Sequence, residues 1–412
     1  MSSILTNNGA MVTLQTLKSI NKNLATTQNE ISTGKSVATA KDNAAVWAIS
    51  KVMESDVKGF KGIQDSLSLG QSTVAVARQA AETVTDLLTE IKGKVVASQE
   101  ENVDRDKIQT DIAALRSQID AVTKAAQFNG LNLLSNTETA VAAPGSNQIS
   151  VLSSLDRSGS GVASSEIDVT KADLGVGAAT DGTTAGGTAA TAIPSLAAGG
   201  TSAFMTVVPA NVTYGTTYNI ESMAGTAVAA GDQVSYVVRQ GDTAASVASE
   251  MVNRLNFVAA REGADVTFSI SDTDPAIINV TNNTDAAITG IAAGDVNRTT
   301  GGTAGGGLNL LEEFDVTSAE GAAAALAGIE GLIQTSIDAG AAFGSVQGRL
   351  EIQQDFISGL TDALRSGIGT MVDADMEEAS ARLQALQVQQ QLGIQALSIA
   401  NQAPQSILSL FR

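Results

Sequence analysis

The chain has 412 residues, 43% of them hydrophobic but only 3% aromatic, and it contains neither cysteine nor histidine. Disulfides, thiolate nucleophiles, imidazole acid–base chemistry and Cys/His metal sites are thereby excluded. Its 43 acidic against 24 basic residues give a net charge of −19, the wrong sign for gripping nucleic acid or an anionic bilayer.

The first segment carries a narrow apolar stripe, with Ala10, Leu17, Leu24 and Ile31 recurring every seven residues and Leu14 and Ile20 widening it. Residues 1–30 hold only Lys18, Lys22 and Glu30 as charges and lack the apolar run of a secretory signal, so no cleaved signal peptide is expected. No stretch of the chain is long and apolar enough to predict membrane insertion.

From Val46 a spacing of three and four runs through Ile49, Met53, Asp56, Phe60, Ile63, Leu67, Gly70, Val74, Ala77, Ala81, Val84, Leu88, Ile91 and Val95. Only Asp56 and Gly70 interrupt it. The pattern predicts a helix about 75 Å long, which needs helical partners along its length. A second helix is written by Ile108, Ile112, Leu115, Ile119, Val122 and Ala126, with Asp104 or Asp106 as its cap.

The middle of the chain is different in kind. Of 39 glycines, 22 lie in 137–310, together with Pro144, Pro194, Pro209 and Pro275. Residues 172–200 and 301–307 are Gly-, Ala- and Thr-rich and read as low-complexity connectors. Between them the pattern predicts strands at 201–208, 216–221, 233–239, 264–270, 276–281 and 286–291. A helix is predicted at 244–261, with Val247, Met251, Leu255 and Val258 on one face.

Helical periodicity returns after residue 311 in Leu326, Ile329 and Ile333, then in Phe343, Leu350, Ile357, Leu364 and Met371 spaced seven apart. At the far end Met376, Ala379, Leu383, Leu386, Leu397 and Ala400 keep a coiled-coil rhythm that weakens at Gln390 and Gly393. Residues 1–136 hold 14 basic and 14 acidic side chains and residues 311–412 hold 4 and 13, so the two arms attract.

The fold class expected is mainly α: a long antiparallel helical rod and terminal coiled-coil-like helices, with an inserted α+β domain. Rod packing is assigned to Ile49, Met53, Phe60, Ile63, Leu67, Leu88, Ile91, Leu115, Phe128, Phe343, Leu350 and Ile357. The terminal seams, too narrow to enclose a core alone, are expected to pack against copies from other chains. Leu14, Leu17, Leu24, Ile31, Met376, Leu383, Leu386 and Leu397 are assigned to that packing.

Gly34-Lys35-Ser36 has the end of a phosphate-binding loop, but Asn29 stands where the first glycine belongs and a helix replaces the feeding strand. The alternative is a helix C-terminus with Gly34 at positive φ. Asp272, Asp274 and Asp285 lack the spacing of a calcium loop and read as turn carboxylates. Asn211, Asn279, Asn282 and Asn297 each begin an Asn-X-Ser/Thr triplet, a candidate modification site in a Thr-rich segment. Neighbouring carboxylates such as Glu312/Glu313 and Glu377/Glu378 point in different directions on a helix. No enzyme activity and no cofactor are expected.

Three stretches resemble one family: Ile31-Ser32-Thr33-Gly34-Lys35 running into Ala40-Lys41-Asp42-Asn43-Ala44-Ala45; Gln127-Phe128-Asn129-Gly130-Leu131-Asn132-Leu133-Leu134; and Ala396-Leu397-Ser398-Ile399-Ala400-Asn401-Gln402. They are similar to bacterial flagellin over roughly the first 136 and last 100 residues. The resemblance implies that 1–43 and 372–412 form the core of a flagellar filament, disordered before assembly and helical within it. Residues 44–171 and 308–371 would form the rod, with a short β element in 148–169, and 172–307 a variable, surface-exposed α+β domain.

It further implies a helical homopolymer outside the cell, exported through the flagellar type III apparatus, with an export chaperone, the filament cap and hook-associated proteins as partners. Ser36, Val37, Ala38, Thr39 and Trp47 depart from the family pattern, so the loop joining core to rod is expected to pack differently. Two other readings are a hook–filament junction protein and a surface adhesin acting through the central domain, against which the few tyrosines, Tyr214, Tyr218 and Tyr236, argue.

Overall fold

A computed structural model describes residues 7–135, 147–158, 161–188, 193–220, 234–291 and 296–410. Glu221 and Gln233, at the ends of two predicted strands, lie outside the described residues. The chain divides into two units, one made of 1–65 with 355–412 and the other of 66–354. Two helices, α2 (Ala44–Ala97) and α5 (Ala319–Val372), contribute to both.

The first unit also holds α1 (Asn8–Thr33) and α6 (Met376–Leu410). Asn7 caps α1 by accepting a hydrogen bond from the Ala10 amide at 3.1 Å. The helix stops at Gly34, whose φ of 67° lies in the left-handed region. That is the helix-terminus reading of Gly34-Lys35-Ser36. The loop that follows is pinned to the end of α5: the Ser36 amide donates to the Val372 carbonyl at 2.7 Å, and the Ala374 amide donates to the Gly34 carbonyl at 3.0 Å. Asp42 closes the loop, accepting from the Ala38 amide (3.2 Å), the Thr39 amide (2.9 Å) and the Thr39 hydroxyl (3.0 Å). Asn43 then caps α2 through the Val46 amide at 3.2 Å.

In the second unit α2 and α5 run antiparallel. Gln71 bonds Glu351 at 3.2 Å, Arg78 bonds Gln347 at 2.9 Å, the Thr85 and Ser336 hydroxyls meet at 2.9 Å, and Lys92 pairs with Glu330. The predicted stripe is the buried one: Leu67, Val74, Ala81, Val84, Leu88, Ile91 and Val95 are each fully inaccessible. The third helix, α3 (Arg105–Ala125), is capped by Asp104 and buries Ile112, Ile119 and Thr123. A short hairpin follows, β1 (Gln127–Phe128) and β2 (Leu131–Asn132). Its turn residues Asn129 and Gly130 both have positive φ, 52° and 82°. An Asn-Gly pair meets that requirement at little cost.

The long hairpin of β3 (Gln148–Ser158) and β4 (Gly161–Thr170) is the β element expected in 148–169. It explains the gap in the α2 stripe. Gly70 is buried, and a Cβ there would stand 2.7 Å from both Val151 methyls, so the missing side chain is the space into which the hairpin docks. The Gln353 amide of α5 holds the same hairpin by donating to the Ser153 carbonyl at 2.9 Å.

The inserted α+β region contains a three-stranded antiparallel sheet ordered β10 (Val266–Ile270), β11 (Ile277–Asn282), β7 (Thr201–Thr206). A second sheet is ordered β5 (Thr184–Thr188), β13 (Val296–Thr300), β8 (Thr217–Ile220), β9 (Val234–Val237). A separate pair joins β6 (Ile193–Leu196) and β12 (Ile288–Ile291). Helix α4 (Ala244–Arg261) packs on β9 and β10 and opens with a capping box between Thr243 and Ser246.

The two connectors are not plain linkers. Strands β5 and β6 fall within 172–200. Residues 175–180 pair with the other connector: Thr180 and Thr303 exchange backbone hydrogen bonds at 2.8 Å, and Gly306 and Leu308 donate to the Gly177 and Gly175 carbonyls at 2.8 Å. A Cβ on Gly306 would fall 2.0 Å from the Gly175 carbonyl oxygen. The glycines there permit close backbone approach, so composition that reads as low complexity is the requirement of a two-stranded neck.

Two outcomes follow from these contacts. Gly70→Leu overpacks the hairpin dock and should cost about 1–3 kcal/mol in urea unfolding, whereas Gly62→Ala, with nothing within 4 Å, should be neutral or stabilise by up to about 1 kcal/mol. The backbone and hydroxyl hydrogen bonds from Thr39 hold the Asp42 carboxyl below the usual 3.8. The loop stabilisation it supplies is present above that unfolded value and disappears as pH falls through the lower folded value. The protection factors of the Ala38 and Thr39 amides, after correction for the intrinsic pH dependence of exchange, should therefore fall only below about pH 4.

Candidate assembly surface

Helices α1 and α6 form an antiparallel pair. The Asn7 side chain donates to the Ala400 carbonyl at 2.8 Å, and the Gln390 amide donates to Asn21 at 2.7 Å. Residues Ala10, Thr13, Leu17, Ile20, Leu24, Thr27 and Ile31 face inward on α1, Thr27 being fully buried and the others half-buried. On α6 the matching set is Ala379, Leu383, Leu386, Gln390, Gly393, Leu397 and Ala400. Both sets step by three and four, the spacing of a coiled-coil seam.

The weak points of the α6 rhythm are where the partner needs room. A Cβ on Gly393 would lie 3.0 Å from a Leu17 methyl, and Gln390 spends its amide on Asn21. Helix α6 begins well for the same local reasons. Asp375 accepts from the Glu377 and Glu378 amides at 2.9 and 3.2 Å, and those two carboxylates lie at the positive end of the helix dipole.

Once the seam is closed, a second apolar set remains outside. Met11 and Val12 are each 64% exposed, Leu14 56%, Val388 56%, Leu392 58%, Ile394 55% and Ile399 68%. Part of this set borders a groove of about 450 Å³ lined by Val12, Thr13, Thr16, Ile20, Leu392 and Ala396 among others. Val12 and Leu392 meet at that groove, an apolar surface of the kind against which something else packs.

The residues assigned from the sequence divide between the two faces. Leu17, Leu24, Ile31, Leu383, Leu386 and Leu397 lie in the seam within the chain, whereas Leu14 and Met376, the latter 44% exposed, point outward. Val388, Leu392 and Ile399 carry no packing assignment from the sequence because the stronger stripe about two positions away masks theirs. Their own spacing of four and seven carries that signal. Among the rod assignments Phe60, Ile63, Leu67, Leu88, Ile91, Phe343, Leu350 and Ile357 are buried, Met53, Leu115 and Phe128 are half-buried, and Ile49 is 52% exposed.

The other chemical candidates become structural. Asn282 is fully buried, its amide donating to the Leu196, Ala197 and Ala286 carbonyls at 3.1, 3.2 and 2.8 Å. It therefore pins β11 to the β6–β12 pair and offers no accessible nitrogen for modification. Asp274 accepts from the Ala276 amide at 2.9 Å in a turn. Among the described residues no group of three or more Asp or Glu is arranged to hold a metal ion, and no helix is long and apolar enough to cross a membrane.

Comparison with known proteins agrees with this layout. The family model for the bacterial flagellin N-terminal helical region matches residues 4–139, and that for the C-terminal helical region matches residues 326–411. Flagellin A of Rhizobium meliloti is 34% identical and flagellin of Brucella melitensis 32% identical, each alignment covering 100% of both chains. Among solved structures, flagellar hook associated protein-3 from Legionella pneumophila is 11% identical, covering 78% of this chain and 98% of that one, with a TM-score of 0.35. Helical ends matched at both termini and relatives matched along their whole length lead to one conclusion: the chain belongs to the bacterial flagellin family, a family of structural proteins, and is a self-assembling subunit of the extracellular flagellar filament.

Proposed function

We propose that assembly proceeds by burial of the outward apolar residues of the α1–α6 pair against neighbouring copies. In this reading the seam residues Leu17, Leu24, Ile31, Leu383, Leu386 and Leu397 hold the pair together. Leu14, Met376, Met11, Val12, Val388, Leu392, Ile394 and Ile399 make the contacts between chains. The observation that carries it is the 55–68% exposure of Val388, Leu392, Ile394 and Ile399 on a helix whose other stripe is already occupied. A helix pair buries one stripe per helix, so the second has no partner within the pair. Covering each half-exposed aliphatic side chain contributes about 1 kcal/mol.

Residues 1–43 and 372–412 then act as the filament core, 44–171 and 308–371 as the rod around it, and 172–307 as the outer domain. The finer partners belong to the same proposal: passage through the flagellar type III export apparatus, delivery by an export chaperone, and contact with the filament cap and hook-associated proteins. Support comes from the absence of cysteine, which removes disulfides that would oppose threading. Full-length likeness to flagellins favours the filament subunit over a junction protein.

The seam and the outward face are separable by mutation. Leu17→Asp should disrupt the helix pair and abolish filaments while the rod stays helical by circular dichroism. A Val388→Ser/Leu392→Ser/Ile399→Ser triple variant should keep the helix content of the monomer. Its critical concentration for polymerisation should nevertheless rise about a hundredfold, the equivalent of roughly 3 kcal/mol. Filaments of normal length from the triple variant at the native critical concentration would remove the outward face from the account.

A further inference from the structure

We propose that the inserted α+β domain is keyed to the rod through α4, and that the two unfold as one cooperative block. The contacts lie on one side of α4 and at the start of α5. On α5, Gly328 and Gly331 are one turn apart and both face α4. A Cβ on Gly331 would stand 2.3 Å from the Asn253 side-chain nitrogen, and one on Gly328 would stand 3.2 Å from both Phe257 and Phe314. Phe257 stacks on Phe314 with ring centroids 5.6 Å apart and planes inclined by 10°. Phe314 is in turn held from the α3 side. Gln109 donates to its carbonyl at 2.9 Å and accepts from the Val316 amide at 3.0 Å.

Beside this apolar contact lies a buried charged cluster. Arg254 of α4, 5% exposed, bonds Asn309 and pairs with Glu313 at 3.6 Å, both in the turn that leads into α5. Its guanidinium lies 5.7 Å from the Tyr236 ring centroid, and that of Arg239 lies 5.3 Å from it. The Tyr236 hydroxyl donates to Asp242 at 2.5 Å, and Arg239 faces Glu250 at 3.7 Å. The neck closes the cluster: a Cβ on Gly307 would meet the Asp173 carbonyl at 1.9 Å and an Arg239 nitrogen at 2.8 Å. Burial opposes the Arg239 charge, but the carboxylates of Glu250, Asp242 and Asp173 around it outweigh that cost and keep the guanidinium protonated. Arg254 Nε and Arg239 Nη2 make no hydrogen bond, so the cluster tolerates little displacement before further buried polar groups lose theirs.

A domain hung on two flexible connectors would unfold independently of the rod. Here an aromatic stack, two glycine-fitted contacts, an ion pair and a paired-strand neck join it to residues 307–331, and each depends on the others staying in place. The side chains of Leu310, Leu311 and Phe314 in this turn are all 2% exposed or less, and Leu310 and Phe314 both lie against Gly328 of α5.

The test is hydrogen exchange read by mass spectrometry across a urea series on the full-length monomeric chain, comparing peptides from 244–261 with those from 319–332. The native chain should lose protection in both at one midpoint. Gly331→Leu and Arg254→Met should each split the transition in two, while Arg261→Met, at the partly exposed end of the same helix, should leave one midpoint. Two midpoints in the native chain would overturn the proposal, as would a single midpoint in both variants. Should Gly331→Leu fail to fold, the native chain and Arg254→Met decide the matter between them.

Discussion

Two helices packed side by side can bury one stripe each, and the behaviour of this chain follows from where that limit is met and where it is lifted. Along the second unit it is lifted. Helices α2 and α5 have α3, the β3–β4 hairpin and α4 laid against them, so the inner stripe from Leu67 to Val95 is closed within one molecule, although Leu69, Ile337 and Ile352 stay exposed. At the ends of the chain α1 and α6 have each other, and Val388, Leu392 and Ile399 remain in solvent. The same spacing of three and four therefore has two fates, a finished core and an unfinished surface. The unfinished one suits a subunit that completes its interior with copies of itself.

Glycine is the second recurring device, and its role differs from flexibility. Gly70 removes a side chain from an otherwise continuous helix stripe so that Val151 can enter. Gly393 does the same for Leu17 across the α1–α6 seam, and Gly331 for Asn253. In each case a helix gives up some intrinsic propensity, about 1 kcal/mol relative to alanine, in exchange for closer packing. At Gly306 the close neighbour is backbone, and the two connectors pair strand to strand.

The inserted domain changes meaning once its attachments are seen. Its strands alternate and its helix is amphipathic, as expected of a small independent fold, yet α4 carries buried Arg254 and Phe257 on surfaces that face the turn before α5. Buried cations with so few partners are expensive, and they persist where the surrounding structure holds every neighbour in position. The domain is thus built into the start of α5 as well as joined to it by chain connectivity.

Periodicity and composition alone determined the helical arms and the extent of the rod helix. They also determined the inner stripe from Phe60 to Val95, six of the inserted domain's strands and its helix, and the reading of Gly34 as a helix terminus. Each is a local property, set by spacing, capping chemistry or a turn that only certain residues adopt. Only the tertiary structure decided that Gly70 and Gly393 are sockets, and that residues 175–180 and 303–308 form a paired neck. It alone decided that Leu17 faces a helix of its own chain while Leu14 faces out, and that Arg254, Tyr236 and Asp173 share one buried cluster. Those outcomes depend on which segment, far away in the chain, arrives at a given face, and periodicity records that a face is apolar without recording what will cover it.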